Sequence, residues 1–189
     1  MRAHDPLENP ADYQGMLLAA LPTLKDPNFR RSVLFLTMHA VEAGAFGFVL
    51  NRPLGKNAAE LLPEHERRSV LERVPVYVGG PVGHDQLGFA EVDWDAGGRK
   101  VRLETNLSLD EVEERLEERP GCVRAFVGYS GWSAGQLEGE LAQKAWVLVR
   151  PDRTATDPEA QEKLWFKIMS SLGPEYKLLA AAPDDPALN

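Results

Sequence analysis

The chain is 189 residues long with 43% hydrophobic and 26% charged side chains, enough for one globular domain that buries roughly 70% of its extended surface. Its single cysteine, Cys122, excludes an internal disulfide and fits a reducing compartment. Net charge is −8 with no basic stripe along the chain, which argues against nucleic acid as the main partner.

Met1 to Gln14 is polar, carries Pro6 and Pro10, and lacks an apolar stretch. A flexible tail over residues 1–14 is expected there, neither signal peptide nor anchor. No later apolar run reaches the roughly 18 residues of a membrane span, so the expected setting is cytoplasmic, with no membrane partner. Residues 15–189 are expected to form a single domain. Gly15 to Leu21 reads as a short buried strand, and Ser32 to Thr37 with Phe46 to Leu50 as a hairpin turning at Glu42-Ala43-Gly44. Asn57 with Glu60 makes a capping box, and Pro63 limits that helix to a turn or two. Val74 to Val78 is a strand ending on Gly79-Gly80-Pro81.

Leu87 to Trp94 and Lys100 to Glu104 alternate apolar and polar residues around Asp95-Ala96-Gly97-Gly98, a second hairpin. Ser108 and Glu111 box a helix presenting Val112 and Leu116, stopped by Pro120-Gly121. Val123 to Val127 is a strand that leads into Gly128-Tyr129-Ser130-Gly131-Trp132, read as a strand-turn-helix junction with Ser133 and Gln136 capping the helix. Trp146 to Val149 is a strand, and Asp157-Pro158 starts a helix carrying Leu164, Trp165, Ile168 and Leu172, ended by Gly173-Pro174. Leu178 to Ala182 is expected as a last strand. Hairpins mixed with a few helices, without βαβ alternation, give an α+β domain: an antiparallel-rich mixed sheet with several packed helices.

Chemistry-bearing patterns are sparse. Gly128-Tyr129-Ser130 resembles a nucleophile elbow, yet Trp132 stands where the second glycine belongs, and every histidine precedes Ser130. A turn hydroxyl explains Ser130 as well. Asp93, Asp95, Gly98 and Glu104 fall on EF-hand positions, but their flanks alternate as strands and a hairpin turn accounts for them. The glycines match neither the P-loop nor the dinucleotide fingerprint, and HExxH and CxxC spacings are missing, so no cofactor or metal is expected. Asn51-Arg52-Pro53 is more informative. An arginine at a strand end, fixed by proline, suits a carboxylate or phosphate clamp, or alternatively an internal ion pair.

Leu24 to Val33, Gly47 to Pro53, Tyr77 to Val82 and Gly128 to Glu138 resemble four ordered signatures of the AlgH/YqgE family of bacterial proteins. The resemblance runs from Gly15 to the C-terminus, where Asp184-Asp185-Pro186-Ala187-Leu188-Asn189 completes it. It implies one α+β domain in a cytoplasmic bacterial protein whose biochemical activity is unassigned. Members are often labelled transcriptional regulators, after a link to alginate control in one lineage. Where Ser130 and Ser133 stand the family commonly has alanine and glycine, which weakens a catalytic serine. The expectation is therefore a non-catalytic regulatory or binding protein, with DNA-binding regulator and Ser130 hydrolase as alternatives. Its site gathers Asn51, Arg52, Gly79, Gly80, Pro81, Tyr129, Ser130, Trp132 and Gln136 around one recess for a small ligand or a protein partner.

Overall fold

The computed structural model describes residues 12–94, 101–157 and 160–182, and within them nine strands and four α-helices. The strands are β1 (Leu17–Ala20), β2 (Val33–Ala40), β3 (Gly44–Val49), β4 (Pro53–Asn57), β5 (Pro75–Val78), β6 (Val82–Trp94), β7 (Val101–Thr105), β8 (Val123–Trp132) and β9 (Trp146–Val149). The helices are α1 (Leu109–Glu118), α2 (Gln136–Ala142), α3 (Gln161–Leu172) and α4 (Pro174–Ala181). The mixed sheet with packed helices is the expected α+β architecture.

β1 is buried along its whole length because it pairs with β2 on one edge and β9 on the other, with both faces covered. Leu17 and Ala19 face the core under α3, whereas Leu18 and Ala20 face the core under α2. A fully apolar run is what such a two-sided strand requires. β8 is the seam of the sheet. One of its edges pairs with β6, and the other pairs in parallel with β5 through Ala125–Val127, then antiparallel with β3 through Ser130–Trp132. Val123 and Ala125 point toward α1, and Phe126 points toward α3. The α1 capping box forms as its spacing predicts, and the Asn57–Glu60 box caps a 3-10 turn of three residues.

Two expectations are corrected, and one strand was not anticipated. The glycine-aromatic stretch from Gly128 is strand as far as Trp132, and the turn to α2 occupies only Ser133 to Gly135. Its partner strand β3 lies far away in sequence, so local turn chemistry gives no hint of the pairing. Leu178 to Ala182 is not a strand: α4 begins at Pro174, where a fixed φ favours the first helical turn, and continues through Ala181. The chain also forms β4, a mostly exposed edge strand led by Pro53, which the sequence reading did not identify. The chain is already packed at Tyr13, whose N–H donates to His39 Nδ1 at 3.1 Å. The expected Asp95–Gly98 turn, the helix start at Pro158 and the 184–189 ending lie outside the described residues.

Candidate functional site

Asn51 sits just beyond β3 and splints the neighbouring loop. Its Oδ1 accepts from the Val33 N–H at 2.7 Å, and its Nδ2 donates to the Arg31 carbonyl at 2.9 Å. Arg52 reaches across the same loop, where Nη2 donates to the carbonyls of Arg30 at 3.0 Å and Pro27 at 3.5 Å. Both contacts are to neutral main chain. Burial lowers the pKa of Arg52 most, and the Arg30 charge lowers it further, against a smaller opposing effect of Asp26. Pro27, Arg30, Arg31, Asn51, Arg52 and Glu162 line a cleft of about 400 Å³. Among the described residues Arg52 forms no ion pair, although Glu162 borders the same cleft.

The glycines serve the chain's own crossings. Gly79 donates to the Val127 carbonyl at 2.8 Å, and its carbonyl accepts from the Val49 N–H at 2.9 Å and the Ser130 hydroxyl at 3.1 Å. A Cβ on Gly79 would lie 2.2 Å from the Gly128 carbonyl oxygen, and one on Gly80 the same distance from Ser130 Oγ. Neighbouring backbone approaches both glycines, of Gly128 at Gly79 and of Tyr129 at Gly80, where the Ser130 hydroxyl also comes close. Pro81 then leads into β6. Tyr129 packs on Phe46, with ring centroids 4.8 Å apart. Trp132 is buried, and its indole N–H donates to Glu140 Oε2 at 3.0 Å. Gln136 Oε1 accepts from the Ser133 N–H and hydroxyl, both at 3.1 Å, and its Nε2 donates to Glu140 Oε1 at 2.9 Å.

The nine residues therefore divide. The Val78 N–H donates to the Arg52 carbonyl at 2.9 Å, so main chain at Arg52, Gly79 and Ser130 is adjacent across strands. Asn51 and Arg52 line the cleft, while Trp132 and Gln136 belong to the packing of α2.

Ser130 is fully buried and its hydroxyl is donated to Gly79. Cys122 is buried, which pushes its thiol pKa up, away from the thiolate a nucleophile needs. Among the described residues no group of three or more His, Cys, Asp or Glu side chains is arranged to hold a metal. Asp93 instead pairs with Arg119, which caps the C-terminus of α1, and Glu104 with Arg115 of α1, and the intervening Asp95 and Gly98 lie outside the described residues. Of the basic pairs, Arg68 is bound by Asp110 and Glu113, each at 2.8 Å, and Arg99-Lys100 lies outside the described residues.

Two arrangements escaped the sequence reading. His39 is buried with Nε2 at 2.7 Å from Glu138 Oε1, so it ties β2, α2 and Tyr13 together. Arg124 is 1% exposed in the middle of β8. The available signal was a lone arginine within the apolar run Val123 to Val127, where each side chain must face a packed layer.

No helix among the described residues is long and apolar enough to cross a membrane. Residues 17–177 match the family described as AlgH-like (DUF179). A UPF0301 protein of Streptomyces avermitilis is 38% identical over 186 residues, covering 93% of this chain and 94% of its own. A UPF0301 protein of Streptomyces coelicolor is 36% identical over 184 residues with the same coverage. Among solved structures, the solution structure of the AlgH protein from Pseudomonas aeruginosa superposes with a TM-score of 0.60 at 29% identity, covering 97% of this chain and 98% of that one. A crystal structure from Corynebacterium diphtheriae has a TM-score of 0.67 at 23% identity, covering 96% and 95%, and supports the fold. With the family matched across most of its length, the chain belongs to the AlgH-like family.

Proposed function

We propose that the chain is a non-catalytic cytoplasmic binding protein that recognises a carboxylate or phosphate group at Arg52. The observation that carries this reading is the half-buried Arg52 guanidinium, which opens on a cleft beside a like charge and contacts only main-chain oxygens. An anion entering there relieves the repulsion between Arg30 and Arg52. Each charge-assisted hydrogen bond it accepts contributes roughly 1.5–3 kcal/mol. The Pro27 and Arg30 carbonyls, in a loop that Asn51 splints, hold the guanidinium in place, so little side-chain entropy is lost on binding. A DNA-binding regulator has less support, because Arg68 is already paired with carboxylates. A Ser130 hydrolase has less support too, because that hydroxyl is buried.

Native mass spectrometry of protein purified gently from its own cells tests the reading. The expected result is a discrete anionic adduct in the wild type that is missing from Arg52→Ala. An adduct retained by Arg52→Ala, or an apo mass that phosphate and carboxylate ligands never shift, overturns it.

A further inference from the structure

The Arg52 cleft is one end of a longer depression. Arg30 and Arg31 line the cleft and also a groove of about 510 Å³ beside it. The apolar wall of the groove comes from Leu21, Pro22, Leu24, Trp165 and Leu179. The Trp165 indole N–H is committed to the Ala20 carbonyl at 2.6 Å, so the ring offers the groove only carbon surface. Leu179 lines it while 51% exposed. Helix α3 serves both halves: Glu162 borders the cleft and Trp165 the groove, three residues apart and therefore on one helix face.

Arg31 stands at the junction. Its guanidinium lies 5.3 Å from the Trp165 ring centroid, and its Nη2 donates to the Ala182 carbonyl at 2.7 Å. Those contacts place its charge on the groove side, whereas the Arg52 guanidinium opens on the cleft. Among the described lining residues, four cations (Lys25, Arg30, Arg31 and Arg52) stand against one carboxylate, Glu162. The chain as a whole carries −8. The depression therefore attracts an anion that the average surface repels.

The two halves ask for different chemistry in one molecule. An inorganic anion compensates Arg52 and leaves the apolar wall in water. A plain hydrocarbon covers the wall and leaves the charge alone. A carboxylate with a hydrocarbon chain does both, and Glu162 on the cleft wall repels a second negative charge at the head. We propose that cleft and groove together bind a small amphiphilic monocarboxylate. Its head pairs with Arg52, and its chain lies against Leu24, Trp165 and Leu179. The groove volume falls within the roughly 300–1,000 Å³ of small-molecule sites. This assignment rests on the Arg52 reading above and specifies its ligand class.

The test is a ¹H–¹⁵N NMR titration of the full chain with acetate, butanoate, hexanoate and octanoate, at one ionic strength and below micellar concentrations. Affinity is expected to rise roughly threefold per added methylene, a little less than full burial of each would give. The shifts are expected to spread from Arg52 with acetate to Leu24, the Trp165 indole and Leu179 with octanoate. Octanol, which lacks the charged head, is expected to bind at least tenfold more weakly than octanoate. Leu179→Gln, at an exposed position, is expected to weaken octanoate at least threefold and to leave acetate unchanged. Arg52→Ala is expected to lose both. Acetate and octanoate binding equally well at Arg52 overturns this inference and leaves the anion site standing, whereas no binding of either overturns both. Octanol binding as tightly as octanoate, or octanoate binding that Arg52→Ala retains in full, also overturns it.

Discussion

Trp132 and Trp146 donate their indole N–H groups to one carboxylate oxygen, Glu140 Oε2, at 3.0 and 2.7 Å. The two rings stand edge to face with centroids 6.1 Å apart, both buried, and Phe29 packs on each. Glu140 thereby ties the end of β8 and the start of β9 to α2. Replacing it with alanine strands two buried donors, each costing about 1–3 kcal/mol. Urea denaturation is expected to show a loss of about 2–4 kcal/mol for Glu140→Ala and a smaller one for Glu140→Gln, which keeps an acceptor. A Glu140→Ala midpoint equal to the wild type contradicts this role.

Gly128 adopts φ +68° where β6 crosses β8, and a Cβ there would lie 2.6 Å from the Val82 carbonyl oxygen. Gly135 has a similar φ of +72° at the start of α2 with open space around it. Both substitutions meet a left-handed backbone, and only one meets a clash. Gly128→Ala is therefore expected to cost about 3 kcal/mol and Gly135→Ala about 1, compared by chemical denaturation. Equal costs contradict the steric account.

Neither Ser130 nor Cys122 is placed for nucleophilic attack. A fluorophosphonate probe is expected to leave the folded chain unlabelled. Iodoacetamide is expected to modify Cys122 about tenfold or more slowly than in urea. Rapid labelling of either residue in the folded state reopens the enzymatic alternative. Ser130→Ala is expected to lose only about 1 kcal/mol, since the Gly79 carbonyl keeps its bond from Val49.

Burial is the main cause that raises the pKa values of Cys122, Tyr13 and Tyr77. Their folded values lie above the unfolded ones, so their contribution to stability is complete below the unfolded values, about 8.5 for cysteine and 10 for tyrosine. It is lost as pH rises toward the folded values. The melting temperature is therefore expected to fall above about pH 8.5, and in Cys122→Ala to hold until nearer pH 10. The hydrogen bonds that Ser108 gives Glu111 act in the opposite direction, since they lower its pKa and are lost as acid protonates it. A melting temperature that is flat from pH 8 to 11 contradicts the alkaline prediction.

Elements written in contiguous residues were legible. The β2–β3 hairpin carries its own turn at Glu42–Gly44, and the Ser108–Glu111 box caps α1 through its spacing alone. Gly128 to Trp132 was not legible as strand, because its partner Ala45–Gly47 is remote and its glycines look locally like a turn. The same remoteness hid the purpose of Gly79 and Gly80, which make room for neighbouring backbone. Arg52 could be singled out from its place after a strand and before proline. Its neighbours Arg30 and Pro27 could not, since only the fold lays their loop against it. Arg124 is a single charge in an apolar run, and only its neighbours in three dimensions, the Thr156 carbonyl and the Tyr77 ring, show what holds it.

The central claim, an anion site at Arg52, is tested most directly by a ¹H–¹⁵N NMR titration with inorganic phosphate at constant ionic strength. The account predicts saturable shifts concentrated at Arg30, Arg31, Asn51, Arg52 and Glu162, and their loss in Arg52→Ala. Shifts that centre on Trp132 and Gln136 and survive Arg52→Ala, or no saturable shift anywhere, contradict it.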